Sequence, residues 1–203
     1  GSEQMQYLSA AVLNTLSSAQ LRSIEAEDIA ALTSAQVQSL SSRSLNQLSS
    51  SQVISLETQD LTALTSVQLT ALSSSQVVAL TPQQLGSLSE YQALGLTTAA
   101  MSGLSLEQIK AFPISTLAQR RALSTAQIAG LDTEIEGAVR GGLSQLTSSQ
   151  LGAVTSSGMA ALSSAALSSL QSGQLPGLKG WQIAALGSEQ MQYLSAAVLN
   201  TLS

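Results

Sequence analysis

The chain has 203 residues, of which 9% are charged and 2% aromatic, with a formal net charge of −5 and neither Cys nor His. Without those two residue types the usual nucleophile–base pairs and zinc sites cannot be assembled, and a sparse acidic balance suits neither nucleic acid nor an anionic membrane. No apolar run approaches a membrane span and no secretory leader is visible.

One phrase recurs along almost the whole chain: Leu, Ser or Thr, two free positions, Gln, an aliphatic residue, a free position, a small residue, Leu. The anchors fall eight residues apart at Leu8, Leu16, Ile24, Leu32, Leu40, Leu48, Leu56, Leu64, Leu72, Leu80, Leu88, Leu96, Leu104 and Phe112. A second aliphatic follows by five, as at Leu21, Ile29, Val37, Leu45, Val53, Leu61, Leu69, Val77 and Leu85. Such internal repetition decides the fold before any other signal. Eight residues overshoot two helical turns by about 80°, so one continuous helix would smear the apolar positions around its surface. A spacing of five sends the two aliphatics to opposite faces of a strand.

A short capped helix fits every position. Ser or Thr after the anchor is an N-cap, and Gln three residues on completes a capping box. The pairs are Ser17 with Gln20, Thr33 with Gln36, Ser49 with Gln52, Thr65 with Gln68, Ser73 with Gln76, and Thr81 with Gln84. The anchor and the second aliphatic then occupy the two positions of a hydrophobic staple. Pro82 sits at the first helical position, where its missing N–H costs nothing. One octad cannot offset the entropy of ordering itself, so octads must stack. The expected fold is an all-α, thin solenoid with one very short capped helix per octad and two or three octads per superhelical turn. Leu16, Leu32, Leu40, Leu48, Leu56, Leu64, Leu72 and Leu80 are its expected core anchors. Small residues before the anchors, such as Ala71, Gly95 and Gly103, should let successive bends approach closely.

Departures are local. Glu25 with Asp28 and Glu57 with Asp60 replace cap and box by acids, which suit a helix start. Ser44 and Ala100 stand where the box amide is missing, and Ala93 and Met101 vary the core near Tyr91. The register breaks in residues 112–123, which include Pro113, and in residues 131–146, where Ile135, Val139, Leu143 and Leu146 suit a longer helix of about three turns interrupted or ended near Gly141 and Gly142. Both pieces read as local decoration of one solenoid spanning residues 1–203. Octads resume at Leu146, Val154, Leu162, Leu170, Leu178 and Leu186. Residues 1–17 (GSEQMQYLSAAVLNTLS) then recur unchanged as residues 187–203. The second copy follows in register, so residues 1–186 read as one long repeat and residues 187–203 as the start of the next, with a fused copy of one end as the alternative.

Little in the chain suggests a chemical site. Glu25, Glu27 and Asp28 lack the spacing of a calcium loop. Asp132, Glu134 and Glu136 alternate ahead of Gly137, which suits either a weak calcium site or a helix start. Arg120 and Arg121 form a basic doublet expected at a solvated surface. Trp181 beside Lys179, and Tyr7, Tyr91 and Tyr193, are lone aromatics. No catalytic, cofactor-binding or metal residue is assigned, and an enzyme is the least expected reading.

Residues 80–85 (LTPQQL) and 76–80 (QVVAL) are similar to the opening of a TAL-effector DNA-binding repeat, but the eight-residue spacing and acidic balance end that likeness at one cap. The octad L-[ST]-x-x-Q-[VIL]-x-A-L resembles the arrays of giant tandem-repeat bacterial secreted or surface proteins described as adhesin-like or haemagglutinin-like. That resemblance fails only at the two register breaks, carries over no ligand or catalytic residue, and implies an extracellular or cell-surface location. The expectation is a structural unit of a stalk, filament or adhesin shaft, partnered end to end by adjoining units or copies of itself. The alternative is a binding module presenting a groove to glycan or peptide. No cofactor, nucleic acid or membrane insertion is expected.

Overall fold

The computed structural model describes residues 2–5, 7–139 and 142–194. Among these the chain is all-helical, its α-helices running from four to seven residues. The octad explains the length. Ser49 is extended (φ −71°, ψ 161°), and its side chain accepts from the N–H of Gln52 and starts the helix Ser50–Ser55. Leu56, extended at φ −61° and ψ 136°, ends that helix and leads into the next cap. A helix therefore restarts at each hydroxyl residue. The chain divides into two compact units, Gly1–Pro113 and Ile114–Ser203, and the division falls inside the first register break.

In the first unit most helices pack on the one three octads further on. The helix Ala26–Ala30 meets Ser50–Ser55, Ser34–Gln38 meets Thr58–Ala63, Ser50–Ser55 meets Ser74–Ala79, and Pro82–Gly86 meets Leu106–Ala111. Three octads thus make one superhelical turn, the larger of the two values the sequence allows. The core is two columns. Val37, Leu45, Val53, Leu61, Leu69, Val77 and Leu85 are completely buried, and the anchors from Leu32 to Phe112 are nearly so. Ala93 and Met101 are completely buried as well. Leu16, expected as a core anchor, is only half-buried, as are Leu8 and Ile24, because among the described residues no preceding turn lies against these first anchors.

The small residues before the anchors let turns touch through their backbones. A Cβ on Gly95 would lie 2.1 Å from the carbonyl oxygen of Ser66, a turn away. In the second unit, one on Gly177 would lie 1.9 Å from that of Ser148.

The second unit repeats the stacking and absorbs a register break. Residues 131–146 do not form one three-turn helix. Asp132, at φ 46°, kinks the chain after the helix Thr125–Leu131, and a 3-10 turn, Asp132–Glu134, leads into the short helix Ile135–Ala138. A second 3-10 turn, Leu143–Gln145, follows. The helix Ser156–Ala160 packs on Asp132–Glu134, and Ser164–Ser168 packs on Leu143–Gln145. The fifteen residues between the anchors Leu131 and Leu146 therefore stand in for two octads, one residue short.

Candidate functional site

The feature that recurs most regularly in both units is the seam between one superhelical turn and the next, built around the box glutamines. The box uses only the carbonyl oxygen of each amide: Gln52 Oε1 accepts from the N–H of Ser49 at 2.8 Å. A Gln amide also carries two N–H donors that a buried side chain must place. Gln52 Nε2 donates to the carbonyls of Leu21 and Ile24, both at 2.7 Å, in the turn before. Gln76 does the same to Leu45 and Leu48, at 2.9 and 2.8 Å. Gln36 reaches Met5 and Leu8, Gln68 reaches Gln38 and Leu40, and Gln84 reaches Ile54 and Leu56. Gln92 and Gln108 continue the series. One acceptor lies 28 residues back and the other 30 or 31.

The same ladder runs through the second unit. Gln174 donates to Leu143 and Leu146, Gln182 to Leu151 and Val154, and Gln190 to Met159 and Leu162. Gln150 reaches Arg120 and Leu123, 30 and 27 residues back. That offset reflects the residue missing between Leu131 and Leu146. Each bonded amide caps its own helix and fastens it to the previous turn.

The expected cap pairs lie at these places. Ser17, Thr33, Ser49, Thr65, Ser73 and Thr81 each accept from the N–H of their Gln, and Gln20, Gln36, Gln52, Gln68, Gln76 and Gln84 accept in return. Leu32, Leu40, Leu48, Leu56, Leu64, Leu72 and Leu80 are buried beside them. Gln20 is exposed, unlike the later amides.

At three caps whose box amide is absent, an acceptor from the previous turn replaces it. Asn14 Oδ1 accepts from the Ser41 N–H at 2.7 Å and from the Ser44 hydroxyl at 2.9 Å, while its Nδ2 donates to the Ser39 carbonyl. Glu136 accepts from the Ser163 N–H at 2.8 Å and from its hydroxyl at 2.5 Å, where the box position holds Ala166. Asp132 Oδ1 accepts from the Thr155 hydroxyl, where the box position holds Gly158. Two of the three acids weighed as a calcium set thus have their oxygens turned to hydroxyl caps a turn away. Asp60 holds a box position itself, 1% exposed, and accepts from the Ser34 hydroxyl at 2.6 Å and the Glu57 N–H at 3.3 Å.

Arg120 corrects the expectation of a solvated doublet. It occupies the staple position of the helix Leu117–Arg121, lies 9% exposed, and donates from Nη1 to the Ile114 carbonyl at 3.4 Å, while Arg121 is exposed. Burial lowers the pKa of its guanidinium. The doublet signalled charge, but the Thr116–Gln119 box fixes which arginine turns inward.

Depressions along the surface follow the seams. One is bordered by Ser49, Ser50, Ser73 and Gln76, another by Glu57, Thr58, Thr81 and Gln84, a third by Thr147, Ser148, Gln171 and Gln174. An open depression of about 510 Å³ lies between Thr125, Ser149, Ala153, Pro176 and Lys179. Lys179 Nζ stands 5.7 Å from the Trp181 ring centroid, a cation–π distance, and Trp181 is 45% exposed. Tyr7, Tyr91 and Tyr193 are exposed. Among the described residues no cluster of three His, Cys, Asp or Glu side chains could hold a metal ion, and no helix is long and apolar enough to cross a membrane.

The family model of the ALTTAQ repeat matches residues 21–56 and again residues 53–90. The chain is a tandem-repeat protein. Comparisons with curated proteins and with solved structures give no match. The matched residues lie in the most regular stretch of the first unit, where every turn holds three octads and Gln52, Gln68, Gln76 and Gln84 fasten successive turns.

Proposed function

We propose that this chain is a structural spacer: one 186-residue repeat, with the start of the next, of an extracellular or cell-surface stalk, filament or adhesin shaft. The observation that carries the reading is the seam itself. Its bonds run from side-chain amides to main-chain carbonyls at a nearly fixed offset, so any turn can be laid on any other whatever its exposed residues. The verbatim recurrence of residues 1–17 as 187–203 supports tandem extension, and the chain's work is then mechanical, to span distance, with no catalysis. Chains of one, two and three units imaged by electron microscopy should give particles whose length grows linearly with unit number. Compact particles of constant length would reject the spacer.

A second reading takes its support from Lys179 over the exposed ring of Trp181, beside the open depression lined by Pro176. There the repeat would present a groove to a glycan or an extended peptide. Glycan-array binding abolished by Trp181→Ala would favour this reading; equal profiles for both chains would remove it.

A further inference from the structure

The duplicated segment shows one sequence in two settings. Leu8, with no turn beneath it among the described residues, is half-buried; Leu194, the same residue of the second copy, lies against an earlier turn and is 3% exposed. Gln190, in the second copy, donates from Nε2 to the carbonyls of Met159, at 3.3 Å, and Leu162, at 2.9 Å. Burial of the staple residue runs the other way: Met5, with later turns above it, is 6% exposed, and Met191 is only half-buried. An anchor is thus covered by the turn before it and a staple residue by the turn after it.

We infer that the first and last turns are the two halves of one seam, and that the occupant of each is the next 186-residue copy of this chain, joined in tandem. The inference rests on the spacer reading and fixes its junction. At the leading end Leu8, Leu16 and Ile24 are half-buried, and Gln20 is exposed with its cap made and no bond from its Nε2 among the described residues. At the trailing end the staple residues Ile183 and Met191 are half-buried. At an offset of 186, Gln20 of the next copy stands 31 residues beyond Leu175 and 28 beyond Leu178. Those are the separations that Gln52 and Gln76 span. Gln20 Nε2 therefore donates to the Leu175 and Leu178 carbonyls of the preceding copy, and the apolar edges at the two ends cover each other.

Gln20→Glu isolates this bond, because a carboxylate still accepts from the cap N–H but has no N–H to donate. It should leave hydrogen exchange unchanged in the present chain, and also in a two-unit chain (residues 1–186 followed by 1–203) when placed in the first unit. Placed in the second unit it should speed amide exchange around residues 175–178 of the first unit by about thirtyfold or more, consistent with loss of two seam bonds. No change there, in a two-unit chain twice the length of one unit by electron microscopy, overturns the junction and leaves the spacer standing. A two-unit chain that folds as compact, non-extended particles overturns both.

Discussion

Gln52 belongs to two helices at once, and its chemistry separates the two roles. Replacing it by Glu keeps the acceptor for Ser49 but turns a carboxylate toward the carbonyls of Leu21 and Ile24. A buried carbonyl left without its donor costs about 1–3 kcal/mol, so Gln52→Glu should lower the urea-unfolding free energy by about 2–4 kcal/mol. Ser49→Ala removes only the cap, worth about 1 kcal/mol. Equal losses for the two variants would mean that the amide does nothing beyond capping. Asp60 offers the converse. Its box position lies 31 and 28 residues after Ile29 and Leu32, yet its side chain has no N–H to give their carbonyls. Asp60→Gln should raise stability by about 1 kcal/mol despite losing the Ser34 contact, and a lower unfolding midpoint would contradict the ladder at this turn.

The caps and helix starts at this scale were legible in the sequence, because Ser49, Gln52 and Val53 each satisfy a local rule. The second role of the amide was not. A signal existed: a capping box accepts Glu as readily as Gln, yet no box position from Gln20 to Gln190 holds Glu and most hold Gln, the choice that retains N–H donors. Finding the acceptors required the number of octads per turn, which no local rule supplies.

At the scale of the element, small residues decide how closely helices stack. The Cβ of Gly95→Ala would lie 2.1 Å from the Ser66 carbonyl, against backbone that cannot step aside, and the strain should cost about 1–3 kcal/mol. Gly137, in the helix Ile135–Ala138, has nothing within 4 Å of the same position. There Gly137→Ala should gain up to about 1 kcal/mol through helix propensity. Thermal unfolding of both variants checks the pair, and a neutral Gly95→Ala would show that the turns do not meet at their backbones. The small residue before each anchor was visible as a pattern, but which glycines touch a neighbour depends on the turn. Residues 131–146 were harder to read. The spacing of Ile135 and Val139 suggested a longer helix, whereas Asp132 at φ 46° caps Thr155 a turn away and divides the segment in two. Helical periodicity does not report a constraint imposed by a partner 23 residues distant.

At the scale of the whole molecule, the one-helix-per-octad solenoid followed from the repeat because every local preference agreed with it. The seams join segments roughly thirty residues apart, so their energies should be local to neighbouring turns. Gln36→Glu and Gln108→Glu share no acceptor: the first loses Met5 and Leu8, the second Val78 and Leu80. Their unfolding free-energy losses should add within about 0.5 kcal/mol, and a strong coupling would contradict nearest-neighbour stacking. The three-octad turn is tested most directly by long-range NMR contacts and trans-hydrogen-bond couplings from the Gln52 side-chain amide protons. The seam predicts that they lead to Leu21 and Ile24; connections to residues one octad nearer or farther along the chain would contradict it.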